Sequence, residues 1–312
     1  MPELLQQYLV FLVLTFLLCS TANTLIWRSF SSEVRGILDW LMLFFLVVAG
    51  LTLLILGTIG FMGHFNVAAQ IAATLVVFGF GGLRLPFLGR HFQIGSLEAW
   101  NKLRHLIFRQ QTQAHSEWVY ALFGFLILFG AVELFNAFVQ YPWEYDSLAY
   151  HLPIVIEWVK SESLWNIFYA AWGGPLGYYP SHHELLLSWL VLPFGNDYLV
   201  NVMNFLVLGV MVVAVYKILI ELGLKEFLAW LGSALVMMMP VFLGQLGTSQ
   251  VDVLLALGVL LSWYYLLRTH KRQDGQLLMP VSLSMALVLG TKYLGLFYGL
   301  PIFLVFLCLV RQ

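Results

Sequence analysis

The sequence predicts an all-α polytopic membrane protein of about nine transmembrane helices, with membrane-parallel helices in one large extracytoplasmic loop. Three observations carry that prediction. Of 312 residues, 61% are hydrophobic and only 10% charged, where a soluble domain carries roughly a quarter. Apolar runs recur at the length of roughly 20 residues that crosses about 30 Å of hydrocarbon. Lysines and arginines gather in alternate connections, as they do on the cytoplasmic side of membrane proteins. A formal net charge of −1 gives no electrostatic pull toward nucleic acid, so no such partner is expected.

The spans follow in order: Leu4–Trp27, Ile37–Ile59, Val67–Leu83, Trp118–Val139, Tyr198–Ile220, Phe227–Leu246 and Val251–Leu267. A last pair, Leu278–Gly290 and Leu294–Val310, is parted by Thr291 and Lys292. The run from Leu4 has no basic leader and no small-residue cleavage site, so it reads as a retained helix rather than a signal peptide. Cys19 and Cys308 lie in apolar runs near opposite ends of the chain and read as packed or lipid-facing thiols. The chain divides into a three-helix membrane segment (1–83), a basic cytoplasmic loop (84–117) and a membrane core (118–312).

Orientation comes from the basic residues. Arg28 and Arg35 follow the first span, and Arg84, Arg90, Lys102, Arg104 and Arg109 fill the loop before Trp118. Lys217 and Lys225 flank another turn, and Arg268, Lys271 and Arg272 a third. All fall on one side if the chain starts outside and crosses back and forth. The stretch 140–196 is then extracytoplasmic, in the bacterial plasma membrane by the resemblance described below.

Within that loop, His183–Phe194 is too short to span and reads as an interfacial or re-entrant helix, with Ser181 and Glu184 as an S-x-x-E capping box. Asp146–Lys160 reads as a second membrane-parallel piece, apolar through Ile154, Ile156, Trp158 and Val159, wet through Glu157 and Lys160, with a fresh turn at Pro153. "WGGPLGYYP" between them is a punctuated loop. Trp143, Trp158, Trp165, Trp172 and Trp189 fit an interfacial aromatic belt.

Ionisable side chains at membrane depth are costly, so each is a functional candidate. Glu133 lies near the outer end of its span, Asp252 begins one, Lys292 ends one, and Asp39 begins the second span near the inner surface. The first three converge on the outer leaflet with Glu144, Asp146, His151, His182 and His183. Each has a plainer reading as well. Asp146 and Glu184 serve equally as helix caps. Lys292 could snorkel to the headgroups. Adjacent His182 and His183 point about 100° apart on a helix, and "HHELLL" lacks the second histidine of HExxH, so no metal site is assigned.

An acid just after a transmembrane helix, then "YHLPIVIEW", "YYPSHHELLLSW", "FGNDYLVNVMNFLVLGVMVVAVYKI", "TSQVDVLLALGVLLSWYYLLR" and "LVLGTKYLGLFYGL", resembles the GT-C class of membrane glycosyltransferases. The nearest relatives by this resemblance are bacterial members akin to protein O-mannosyltransferases and aminoarabinose transferases. It covers about residues 118–312. It implies transfer of a sugar from a polyprenyl-phosphate or polyprenyl-pyrophosphate lipid to an extracytoplasmic glycan, lipid or protein acceptor. By position Asp146 inherits the role of catalytic base, with Glu144 as its substitute. Lys292 matches a lysine placed for the lipid phosphate, with Tyr150, His151, His182 and His183 as further donor contacts. Asp252, Glu133 and Glu184 would support them. The class holds metal-dependent and metal-independent members, so the resemblance names no cofactor and leaves a divalent metal open. It leaves the three N-terminal spans unexplained, and the class usually continues with more helices past this point, which implies a shortened member or a fragment. Two other classes remain alongside: a transporter or flippase with Glu133, Asp252 and Lys292 along its path, and an assembly subunit. No inverted repeat of the kind common in transporters is evident.

Overall fold

The computed structural model describes residues 2–30, 34, 36–81, 116–169, 176–272 and 275–310. The expected basic loop at Arg84–Arg109, Arg35 and Trp172 lie outside them. Among the described residues all regular structure is helical. The helices are α1 (Pro2–Ser29), α2 (Ile37–Phe61), α3 (Val67–Gly81), α4 (Ser116–Val139), α5 (Leu152–Ser161), α6 (His182–Val191), α7 (Val202–Glu221), α8 (Glu226–Met237), α9 (Pro240–Leu243), α10 (Asp252–Arg272), α11 (Leu278–Thr291) and α12 (Gly295–Val310). Four stretches, Glu3–Ser29, Ile37–Phe61, Val202–Glu221 and Asp252–Arg272, are long and apolar enough to cross a membrane.

The core forms where α10 packs on α7 and α11, and α2 joins them through α6, α7 and α11. Met42 and Leu46 of α2, Val207 and Met211 of α7, Leu257 and Leu261 of α10 and Val281 of α11 are buried in one cluster. The N-terminal helices therefore share the core of the later ones. Outward faces stay apolar: Leu5, Leu9, Leu12 and Phe16 on α1, and Leu296, Leu300 and Leu304 on α12, are exposed. Those spacings of three and four trace single stripes, the surface a helix offers to lipid. Between α10 and α11 the approach is close. A Cβ at Gly258 would lie 2.9 Å from the Val288 side chain, and the Ser262 and Ser284 hydroxyls bond across the seam at 3.0 Å. Small residues and hydroxyls at such a seam hold helices together where water supplies no drive.

Three sequence expectations change. The span expected at Phe227–Leu246 is broken: α8 stops at Met237, Met239 is extended (ψ 130°) and α9 restarts at Pro240. A proline forces the residue before it out of the helical region, and that accounts for the break. The Ser181–Glu184 capping box does not form, because the Ser181 hydroxyl donates to the Tyr179 carbonyl and Glu184 faces His151. Finally, α6 does not lie on a surface. Seven of its residues, His183 to Trp189 with Val191 but without Leu185, are buried against α2, α5 and α11. Leu152, Ile154, Val155 and Trp158 likewise turn α5 toward protein rather than lipid.

Hydrogen bonds sort the helix ends into two sets. At one end, Phe65 N–H donates to the Glu162 carbonyl (2.7 Å), Trp165 Nε1 to the Phe61 carbonyl (2.8 Å), and Asn201 Nδ2 to the Gln140 carbonyl (2.8 Å). Asn204 Nδ2 reaches the carbonyls of Gln245, Thr248 and Gln250 at 2.8–3.2 Å. At the other end, Asp39 of α2 meets Lys217 of α7 (3.0 Å) and Arg268 of α10 (3.1 Å).

Candidate functional site

The site grows from the turn that follows α4. Glu144 accepts the backbone N–H of Asp146 (3.0 Å) and of Ser147 (2.9 Å) and the Ser147 hydroxyl (3.1 Å). It thereby caps a π-helical turn, Ser147–His151, that runs into α5. Burial alone would raise the Glu144 carboxyl, but these donors and Gln250 outweigh it and hold it below its usual value. Hydrogen bonds to a charged form favour that form. Asp146, also readable from sequence as a cap, makes no capping bond. Glu144 is thus committed to structure, and Asp146 keeps its carboxylate for other work.

Ser147 is buried and ties this turn to the segment before α10: its Oγ accepts the Ser249 N–H at 2.9 Å. The phenol of half-buried Tyr150 is pushed well above the ordinary value. Burial is the largest cause, followed by the charge and hydrogen bond of Asp146 and then the charges of Glu184 and Asp252. One phenol therefore senses acids from the π-turn, α6 and α10 together. It stays protonated at neutral pH and acts as a donor.

Beneath this surface lies a buried layer. His151 Nδ1 donates to Glu184 Oε1 at 2.5 Å, both side chains being 4% exposed. The bond fastens the π-turn to α6. The His183 ring centre is 6.3 Å from that of His151, and neither its nitrogens nor Glu184 Oε2 find a partner among the described residues. Burial pulls His183 down to about 4, against the pull of Glu184, so it is neutral at pH 7. His182 packs on Gly290 of α11, where a Cβ would fall 2.0 Å from its ring. Only glycine admits that imidazole.

The opposite wall is an ion pair: Lys292, which follows α11, sits 2.8 Å from Asp252 at the head of α10. Because α10 and α11 form an antiparallel hairpin, its first and last residues meet. The pair is partly open, with side chains 29% and 45% exposed.

Asp146, Tyr150, His151, His183, Glu184, Asp252 and Lys292 thus form one neighbourhood. Glu133, half-buried on α4, makes none of its bonds. His151 and His183 are 3% and 0% exposed, so neither ring reaches the surface. Among the described residues no group of three or more His, Cys, Asp or Glu is arranged to hold a metal ion. Ser147, Ser249 and Gln250 escaped the sequence reading, since their bonds join positions about a hundred residues apart.

Glu184→Ala is expected to cost about 1–3 kcal/mol by leaving the buried His151 N–H unpaired, with Glu184→Gln costing less. Thermal unfolding of the two variants in detergent measures the difference. No family model, curated protein or solved structure matches the chain.

Proposed function

We propose that the chain is a membrane glycosyltransferase of the GT-C type, with about nine transmembrane helices. In this reading, residues 140–196 face the extracytoplasmic side of a bacterial plasma membrane. The donor is a sugar carried on polyprenyl phosphate or pyrophosphate, and the acceptor is a glycan, lipid or protein. The observation that carries this reading is the meeting, at one end of an apolar bundle, of a reachable acid with a lysine. The Tyr150 phenol feels the charges of both Asp146 and Asp252, and Asp252 pairs with Lys292 at 2.8 Å.

The chemistry is direct displacement at the anomeric carbon. The acceptor oxygen forms a bond to that carbon while the bond to the phosphate oxygen breaks, and the phosphate leaves with the electron pair. Asp146 takes the acceptor proton, a role usually worth about 10²–10⁴ in rate. Lys292 faces the charge growing on the leaving phosphate, where a fixed cation stabilises most. Tyr150 orients the Asp146 carboxylate. The reactive bond of a lipid-linked sugar sits at headgroup depth, which places these groups at helix mouths rather than at the bilayer centre.

Sugar transfer by purified protein from a polyprenyl-phosphate donor tests the proposal. Solute uptake by vesicles without any transfer would favour the transporter instead. Lys292→Ala is expected to raise the donor KM with a smaller change in kcat, and an unmoved donor KM would remove the phosphate role. Orientation has its own test. With Cys19 and Cys308 replaced by serine, Tyr145→Cys and Trp165→Cys, both exposed, should react with impermeant maleimide from the extracytoplasmic side. Reaction only from the cytoplasmic side would invert the scheme.

A further inference from the structure

Apart from the acid cluster, a cavity of about 520 Å³ opens between the first turns of α1, the end of α4 and the segment joining α6 to α7. That volume is in the range of small-ligand sites. Tyr8, Phe138, Tyr141, Phe194 and Tyr198 wall it with rings, and Asp197 contributes a carboxylate. Two contacts give it a fixed shape. Tyr8 and Phe194 meet edge to face, 4.9 Å between centroids, and the buried Asn201 pins the Gln140 carbonyl at 2.8 Å.

The lining selects against classes of ligand. Among the described residues that line it, the one formal charge is that of Asp197, with no lysine, arginine or histidine beside it, so a phosphate or other anion is repelled. An ammonium would suit rings and a carboxylate. It would leave the donors of three tyrosines and of Gln140 without acceptors, since an ammonium has none to offer. A neutral polyhydroxylated ring uses everything present. Its C–H edges lie on the negative faces of the aromatics, its hydroxyls donate to Asp197, and its oxygens accept from the phenols and the amide.

The geometry points to a saccharide-binding subsite here, holding the acceptor for the transfer reaction; its place in that reaction rests on the glycosyltransferase reading. Pro142, part of the lining, precedes Asp146 by only four residues. At no more than about 3.3–3.6 Å per residue, the two lie within roughly 14 Å. A short glycan seated in the cavity can therefore present a hydroxyl to Asp146. Tyr141, 87% exposed, and the exposed Asp197 leave the polar side open to water.

The experiment uses the full chain in lipid nanodiscs with a panel of fluorescent neutral oligosaccharides, and tetramethylammonium as competitor. At least one oligosaccharide should bind. Asp197→Ala and Tyr141→Ala should each weaken it about tenfold, the scale of one lost stacking or charge-assisted contact. Both pocket residues are exposed, so their variants fold, and unchanged thermal unfolding checks this. No binding across the panel, binding that neither variant weakens, or displacement by tetramethylammonium overturns the subsite. The two readings also fail separately. Pocket-dependent binding with no transfer sinks the enzyme alone, while transfer whose acceptor KM ignores both variants sinks the subsite alone.

Discussion

Asp146→Asn should lower sugar transfer by about 10²–10⁴ while leaving membrane insertion and thermal stability as in the parent. The separation of the two readouts follows from the bonding around the turn. Asp146 caps nothing, because Glu144 accepts the backbone donors there. Asparagine keeps the size of the side chain but cannot take up a proton. Activity lost together with the fold would mean that the carboxylate is structural, and parental rates would end the proposed mechanism. Glu144→Gln should show the reverse pattern, with reduced stability and a smaller effect on rate in the protein that remains folded.

The largest stability effect is expected at the opposite end. Asp39 Oδ1 receives Lys217 at 3.0 Å, Arg268 at 3.1 Å and the Tyr264 hydroxyl at 2.7 Å. Arg268 is 1% exposed and Tyr264 fully buried. Asp39→Ala would strand two cations on one spot, a defect of about 3–5 kcal/mol. Buried ion pairs are strongly missed when halved, yet often dispensable when replaced whole. The double variant Asp39→Leu with Arg268→Met should therefore recover much of the loss. Thermal unfolding in detergent compares the two; a single variant as stable as the parent would show that the charges are solvated.

The long apolar helices were legible because their signal is local: run length and the sparing of charge define α1, α2, α7 and α10. The Asp252–Lys292 meeting was legible too, since adjacent antiparallel helices must bring the first residue of one beside the last of the next. What failed was information held in tertiary partners. Ser181 and Glu184 have the spacing of a cap, but His151, 33 residues earlier, claims the glutamate. Lys217 and Arg268 counted as cytoplasmic markers, and nothing near either revealed that both would turn inward to Asp39. One local clue went unused: Tyr264 and Arg268 stand four apart, hence on one helix face. The break at Pro240 was also visible in "MMMP", but an apolar window is insensitive to a single proline.

The amide of Asn204 has a kinetic consequence. One NH₂ group contacts three carbonyls of the segment 245–250, so this hinge-like stretch travels with α7 as one piece. Motion of that stretch against the start of α7 is therefore suppressed, and any rearrangement at this end of the bundle must carry both together.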